Sequence, residues 1–358
     1  MNLLDTMTCL DVEQVLFCHD EIAGLRGIVA IHDTTLGPAM GGLRIQPYES
    51  EDAALQDALR LSQAMTMKAA AAGLNLGGGC AVLICDAHRG KSEALLRAFG
   101  RQVEGLGGRF FIAEDVGTTV DDMEVIAQET RFVVGLNKRR GGSGDPAQKA
   151  AMGVFRGIQA CLQEVYGDSA LRNRRVAIQG VGAVGLELAR LLGEEGAALI
   201  VADPDSRRIE KLRTHLQAEV VAPDKIFAVE CDVFAPCALG GILTPAAIDS
   251  LKAKIVAGAA NNQLESDQAG DRLHARGIIY APDFVINAGG LINAAEELGG
   301  YDETTANHKI NNLFHTIQTI LRLSRQKGIP THVAANELAL ERIRTIRDIR
   351  RNFLPAEH

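Results

Sequence analysis

Hydrophobic and polar positions divide the chain into runs of two periods. Residues 11–33 hold two β-rich runs, EQVLFC and GLRGIVAIHD, split by polar residues and glycine, which predicts a pair of strands. LGPAMGGLRI, at 36–45, carries Gly37, Pro38, Gly41 and Gly42 and predicts a turn-rich link. Ser50 precedes Glu51 and Asp52, an N-cap with acids in the first turn. Leu55, Leu59, Ser62 and Met65 then share a face, with Ala58 and Leu61 beside it, the 3.6-residue period of a helix. AVLICD at 81–86 predicts a short buried strand, 91–105 a helix, and RFFIAE a strand that ends just before Asp115.

The pattern changes at 138–146, KRRGGSGDP, which is basic, glycine-rich and ends in proline, so a hinge is expected there. Helical periodicity resumes over 147–166. RRVAIQG then predicts a strand, LELARLLGEEG a helix and ALIVAD a second strand ending on Asp203. Between the first strand and the helix lie Gly180, Val181, Gly182, Ala183, Val184 and Gly185, a G-x-G-x-x-G turn with an acid about 20 residues on. Each glycine has a task in a dinucleotide unit: a tight turn, room for a pyrophosphate, and close helix–strand packing. The helix N-terminus supplies N–H groups for phosphates. Asp203 is suited to accept hydrogen bonds from ribose hydroxyls and to repel a 2′-phosphate, which favours NAD over NADP. Arg207 and Arg208, just beyond, weaken that preference. FAVECDVFAPCAL, KIVAGAANNQ and GIIYAPDFVINAGG add short strands alternating with helical segments, as a doubly wound parallel sheet requires. Asn262 and Asn287 fall near the ends of such strands, where ligands gather, or where Asx turns form. The segment 303–352 predicts two helices broken at Gly328 and Pro330; its RIRTIRDIRR reads as a solvated helix face with an apolar stripe.

The whole therefore reads as an α/β chain of two domains. The first is 1–140, before the hinge; the second, 147–330, is a Rossmann-type dinucleotide domain. The length of 358 residues accommodates both cores. A net charge of −8 leaves no basic footprint for nucleic acid, and no stretch is apolar enough for a membrane span. The N-terminus lacks the basic region of a signal peptide, and seven cysteines without a CxxC pair suit free thiols in a reducing cytoplasm.

Candidate chemistry concentrates in TMKAAAAGLNLGGGCAV, residues 66–82. A single Lys68 is followed by small side chains and then by Gly77, Gly78 and Gly79, where another group can approach the main chain closely. This is either a cationic clamp for a small anion or a helix C-terminus with a glycine-rich stop. Asp115, in a loop beyond an apolar strand, is a second candidate. Metal binding has no support: HExxH and CxxC are absent, and His32, His88 and His274 stand alone in sequence; GxSxG is absent too.

IHDTTLGPAMGGLR, DALRLSQAMTMKAAAAGLNLGGG, AEDVGTTVDDM, CDVFAPCALGG and APDFVINAGGLIN together resemble the glutamate/leucine/phenylalanine/valine dehydrogenase family, and most of all its leucine dehydrogenases, with the phenylalanine and tryptophan dehydrogenases nearby. The resemblance covers nearly the whole chain. It implies oxidative deamination of an L-amino acid to a 2-oxo acid and ammonia with NAD as hydride acceptor, two domains around a cleft, of which the first, 1–140, would bind substrate, oligomerise and be rejoined by a C-terminal helix at 331–358, and a homo-oligomer between dimer and octamer. By the same resemblance Lys68 would bind the substrate carboxylate and Asp115 would relay protons. Gly41, Gly77 and Gly78 would line the substrate floor, Asn262 would contact substrate or nicotinamide, and Gly180, Gly182, Gly185 and Asp203 would hold the dinucleotide. Met40, Ala113, Leu291 and Ala294 at the pocket positions are apolar and imply a hydrophobic substrate side chain, because a charged one would be left unpaired.

Two departures stand out. The family motif GGGK reads Gly77-Gly78-Gly79-Cys80 here, so the lysine that serves the family as acid/base is replaced by Cys80. Either Cys80 is a buried small hydrophobe or it is a catalytic thiol. A neutral thiol is a weak donor, and a thiolate carries the wrong sign for the transition state. Ala150 stands where related sequences carry a threonine that bonds the nicotinamide carboxamide. A slowed or non-catalytic member, or an altered hydride transfer, is the alternative expectation.

Overall fold

The structure is a computed structural model that describes residues 2–87 and 90–349; His88 and the end of the 331–358 segment lie outside the described residues. The chain forms two compact units. The first comprises Met1–Asp145, Ala294–Asp302 and Ala339–His358, and the second Pro146–Asn293 and Glu303–Leu338.

The first unit runs α1 (Leu3–Leu10), β1 (Gln14–Asp20), β2 (Leu25–Asp33), β3 (Ala39–Gln46), α2 (Glu51–Ala71), β4 (Gly77–Ile84), α3 (Glu93–Gly105), β5 (Phe110–Glu114) and α4 (Val120–Ile126). Its sheet has the order β1-β2-β4-β3-β5. β2 pairs antiparallel with β1 and β4, whereas β3 pairs parallel with β4 and β5. Ser50 caps α2 as its position suggested, its side chain accepting from the Ala53 N–H. Side chains alternate between the faces of a strand, so the sheet has two cores. Ala39, Leu43, Ile45, Ala81, Leu83, Phe110 and Ile112 pack with α3 and α4, whereas Ile28, Ala30, Cys80 and Val82 pack with Ala54, Leu55, Ala58 and Leu59 of α2.

Two expectations need correction here. The segment 36–45 is mostly the interior strand β3, and the three glycines 77–79 open β4 rather than stopping α2, which ends at Ala71. Glycine and proline density suggested turns, but inside a sheet glycine also marks close backbone approach. A Cβ on Gly41 would stand 1.7 Å from the Gly79 carbonyl oxygen, and one on Gly77 1.9 Å from that of Asp33.

The second unit runs α5 (Ala147–Tyr166), β6 (Arg175–Gln179), α6 (Ala183–Glu194), β7 (Ala198–Ala202), α7 (Ser206–Arg213), β8 (Glu219–Val220), β9 (Val233–Pro236), α8 (Pro245–Ser250), β10 (Ile255–Val256), α9 (Asp267–Ala275), β11 (Ile279–Tyr280), α10 (Asp283–Ile286), α11 (Gly289–Ala295), α12 (Glu303–Asn311), α13 (Leu313–Lys327) and α14 (Thr331–Ile349). α11 and α14 each run on into the first unit. The strands form one parallel sheet, β11-β10-β9-β6-β7-β8, the doubly wound arrangement expected. The segment expected as one helix before Gly328 is two, α12 and α13, parted at Asn312.

Candidate functional site

In the first unit the candidate residues gather on the α2 face of the sheet. Because Ala39 and Leu43 face α3, alternation turns Met40, Gly42 and Arg44 to the opposite face; on β4 it turns Gly78 and Cys80 there, and along β5 Ala113 and then Asp115. α2 lies directly on Gly78, where a Cβ would come within 2.1 Å of the Thr66 nitrogen. That contact sets the last turn of α2, which carries the half-buried Lys68, against the sheet. Two further residues fix it. His32 bonds the Thr66 hydroxyl at 2.9 Å through Nδ1 and the Leu10 carbonyl at 3.0 Å through Nε2, so Nε2 carries the proton and Nδ1 accepts. Burial holds this imidazole below its ordinary pKa, against the carbonyl bond and nearby acids that raise it. Arg342 of α14 binds the carbonyls of Gly73 and Leu74 and the Asn75 side chain at 3.2, 2.5 and 2.7 Å, just past the end of α2. Arg347, on the exposed face expected for this segment, likewise ties the helix to Asp33 at 2.7 Å.

Asp115 is held by its loop and by a cation. The Thr118 hydroxyl accepts from the Asp115 N–H at 2.8 Å and lies 2.9 Å from both the Asp115 and Leu43 carbonyls. Gly117, at φ +83°, admits no side chain, since its Cβ would stand 2.1 Å from the Ile45 carbonyl oxygen. The Arg44 guanidinium reaches Asp115 Oδ2 at 3.2 Å and Asp57 Oδ2 at 3.0 Å. Tyr48 and Arg60 complete the shell of Asp57 at 2.7 and 2.8 Å. Burial alone would raise the Asp57 carboxyl, but the bonds from Arg60 and Tyr48 and the charge of Arg44 bring it below the usual range. Sequence reading missed this network, whose only signal was an isolated arginine inside an apolar run.

Cys80 is buried, its thiol 3.6 Å from the Gly42 carbonyl oxygen. Burial, and then the Asp115 charge, push the thiol far above its ordinary pKa, so it is neutral near pH 7. Met40 is also fully buried, and Ala113 is half-buried.

In the second unit the Gly180–Gly185 turn joins β6 to α6. Gly180 has φ +92°, and Gly185 packs so tightly that a Cβ would be 2.1 Å from the Gly180 carbonyl oxygen. Gly182, the N-cap of α6, is different: a Cβ there would meet Arg208 Nη1 at 3.8 Å and nothing nearer. Bare backbone is thus presented at the one turn position where nothing in the protein demands glycine, as the approach of a pyrophosphate does. Asp203 follows β7. Its Oδ2 accepts from the Val181 N–H and its Oδ1 from the Asp205 N–H, both at 2.9 Å. Asn262 is exposed at φ +51°. Asn287 is buried, donating to Asn261 Oδ1 at 2.6 Å and to the Ala259 carbonyl at 3.1 Å. Gln263, unnoticed in sequence, pins this loop through the Gly258 and Ala260 carbonyls at 2.9 Å each. Leu291 and Ala294 lie one turn apart on α11, and Gly289 packs on α5, its Cβ position 3.3 Å from Ala150 Cα. Among the described residues no group of three or more His, Cys, Asp or Glu could hold a metal ion, and no helix is long and apolar enough to cross a membrane.

Residues 12–132 match the profile described as "Glu/Leu/Phe/Val dehydrogenase, dimerisation domain", and residues 201–350 match "Glutamate/Leucine/Phenylalanine/Valine dehydrogenase". The leucine dehydrogenase of Geobacillus stearothermophilus is 51% identical over 358 residues, 100% of this chain and 98% of that protein. The chain belongs to the glutamate/leucine/phenylalanine/valine dehydrogenase family. Its similarity extends to an L-tryptophan dehydrogenase of Nostoc punctiforme, 47% identical over 344 residues and 96% of each chain. The crystal structure of L-tryptophan dehydrogenase from that organism superposes with a TM-score of 0.86 over 97% of this chain and 99% of that one, at 46% identity. These relatives are amino-acid dehydrogenases, oxidoreductases acting on CH–NH2 groups, and the two-unit α/β fold is the one this family member was expected to have.

Proposed function

We propose that this chain oxidises a hydrophobic L-amino acid, branched-chain or aromatic, to its 2-oxo acid and ammonium, with NAD as hydride acceptor and water supplying the carbonyl oxygen. One observation carries the reading: the last turn of α2, the apolar Met40 and Ala113, and Asp115 share one face of a sheet whose glycines exclude side chains. Lys68 pairs with the substrate carboxylate. Asp115, its carboxylate oriented by Arg44 and its backbone held by Thr118, takes the proton lost by the substrate ammonium and passes protons at nitrogen. By the resemblance Met40, Ala113, Leu291 and Ala294 would be the positions that meet the substrate side chain; all are apolar, so glutamate would be excluded by desolvation. Gly41, Gly77 and Gly78 would line the substrate floor by the same resemblance; their missing side chains serve the packing of the sheet, with Cβ positions closed by the Gly79 and Asp33 carbonyl oxygens and by the Thr66 nitrogen.

Gly180, Val181, Gly182, Ala183, Val184 and Gly185 would cradle the pyrophosphate, Asp203 would hold that turn through the Val181 N–H, Asn262 would contact the nicotinamide end or the substrate, and the open backbone at Gly182 fits the pyrophosphate. NAD, when bound, supplies the acceptor for the substrate's α-hydrogen as hydride. The profile matched by residues 12–132 is described as a dimerisation domain, which supports a homo-oligomer. Free cysteines suit a reducing cytoplasm.

A second reading is favoured by Cys80. The resemblance places a lysine acid/base there, whereas this thiol is buried and neutral. Loss of such a group costs about 10²–10⁴-fold in rate, which describes a slow or non-catalytic member, or one turned to another hydride transfer. A panel of L-amino acids with NAD, followed by NADH absorbance, tests the proposal. NADH formation with leucine, phenylalanine or tryptophan but not glutamate, abolished by Lys68→Ala, supports it. Silence across the panel from protein that demonstrably binds NAD overturns it in favour of the second reading.

A further inference from the structure

The surroundings of Asp203 bear on which dinucleotide the second unit takes. An acid at this position selects NAD when its carboxylate is free to bond the ribose hydroxyls and to repel a 2′-phosphate. Here the Asp203 side chain is 1% exposed and each oxygen already accepts a backbone N–H. The charges around it balance: Asp203 and Asp205 against Arg207 and Arg208. The two arginines differ in commitment. Arg207 is bound to Asp205 through Nε at 3.1 Å and Nη2 at 3.0 Å. Arg208 stands off at 3.6 Å from Asp203 Oδ2 and 3.9 Å from Asp205 Oδ2, both longer than a hydrogen bond. Its side chain is half exposed, and Nη1 is the atom nearest the open face of Gly182. A guanidinium thus lies between the phosphate turn and the acid at the end of β7, which is where a dinucleotide on this turn places its adenosine ribose.

We propose that Arg208 forms a 2′-phosphate site, so that this chain accepts NADP(H) alongside NAD(H). The inference rests on the dinucleotide reading of the Gly180–Gly185 turn and deepens it. A 2′-phosphate carries about −1.5 to −2 charge and three strong acceptors, and the planar fork of arginine suits it better than lysine would. Arg208 then bridges the phosphate and the buried Asp203 carboxylate, cancelling the repulsion that an unpaired acid would exert.

Calorimetric titration of the full chain with NAD and NADP, without amino acid, isolates this contact, because the two ligands differ in the 2′-phosphate alone and no turnover is needed. The wild type is expected to bind NADP at least as tightly as NAD. Arg208→Ala is expected to weaken NADP by about tenfold or more, the loss of one charge-assisted contact, and to leave NAD within about threefold. Arg207→Ala is expected to change neither, since that guanidinium is held by Asp205. Wild-type protein that binds NAD but takes NADP more than about tenfold more weakly overturns the proposal, as does an Arg208→Ala variant that weakens both ligands equally. Failure to bind either ligand overturns the dinucleotide reading beneath it.

Discussion

Single residues carry the electrostatics of this chain. Asp57 is kept ionised by Arg60, Tyr48 and Arg44 against the cost of its burial. Its folded pKa is depressed, so its contribution is complete above the unfolded carboxylate value near 4 and lost as pH falls below it. Tyr48→Phe removes one charge-assisted bond; acid unfolding followed by circular dichroism is expected to begin at higher pH, with about 1.5–3 kcal/mol lost at neutral pH. His332 works in the other direction. It is buried with both ring nitrogens unpartnered, packed where a Cβ on Gly270 would come within 2.3 Å. Burial lowers its pKa, although Asp267, Asp271 and Asp283 pull upward. A buried neutral imidazole stabilises the fold fully above the unfolded value of about 6.5 and progressively less as pH falls below it. His332→Leu is expected to flatten that loss: the decline in urea stability between pH 8 and pH 5.5 shrinks relative to wild type. An unchanged decline would assign it to other groups.

Elements are placed in this fold largely by where side chains are missing. α2 rests on Gly78, and Gly78→Ala drives a Cβ to 2.1 Å from the Thr66 nitrogen and 2.5 Å from the Ser62 carbonyl oxygen. Helix and sheet must separate, so thermal melting should reveal a loss at or above the ~1–3 kcal/mol usual for overpacking. Gly182→Ala makes the opposite case. With nothing nearer than 3.8 Å, its Cβ leaves the melting temperature within about 1–2 °C of wild type while obstructing the pyrophosphate, so dinucleotide affinity falls without a change in stability. Equal loss of stability at Gly182 and Gly78 would remove the distinction between a glycine kept for a ligand and one kept for packing.

At the scale of the whole molecule, the second unit was the more legible in sequence. Strand, G-x-G-x-x-G, helix, strand and acid follow one another within a few tens of residues, and local pattern suffices to order them. The first unit was partly hidden. β3 looked like a link because Gly41 and Gly42 signal turns locally, whereas their use is the approach of Gly79 backbone and Asp115, distant in sequence. The Arg44–Asp57–Asp115 network, the His32 tie to Thr66 and the Arg342 brace of the 73–75 loop join residues that no short window contains together. Lys68, Asp115 and Cys80 were visible as candidates, but only the pleat of the sheet turns Cys80 into the α2 layer as a neutral thiol.

The central claim is that this layer holds an amino-acid dehydrogenase site lacking one ammonium. The ratio of kcat/KM for Cys80→Lys to that of wild type, on the best apolar L-amino acid with NAD, tests it most directly. A folded variant with an unshifted melting temperature is expected to gain about 10²-fold or more with the same substrate preferred. A folded, NAD-binding variant that is no faster than wild type on any apolar amino acid would contradict the account.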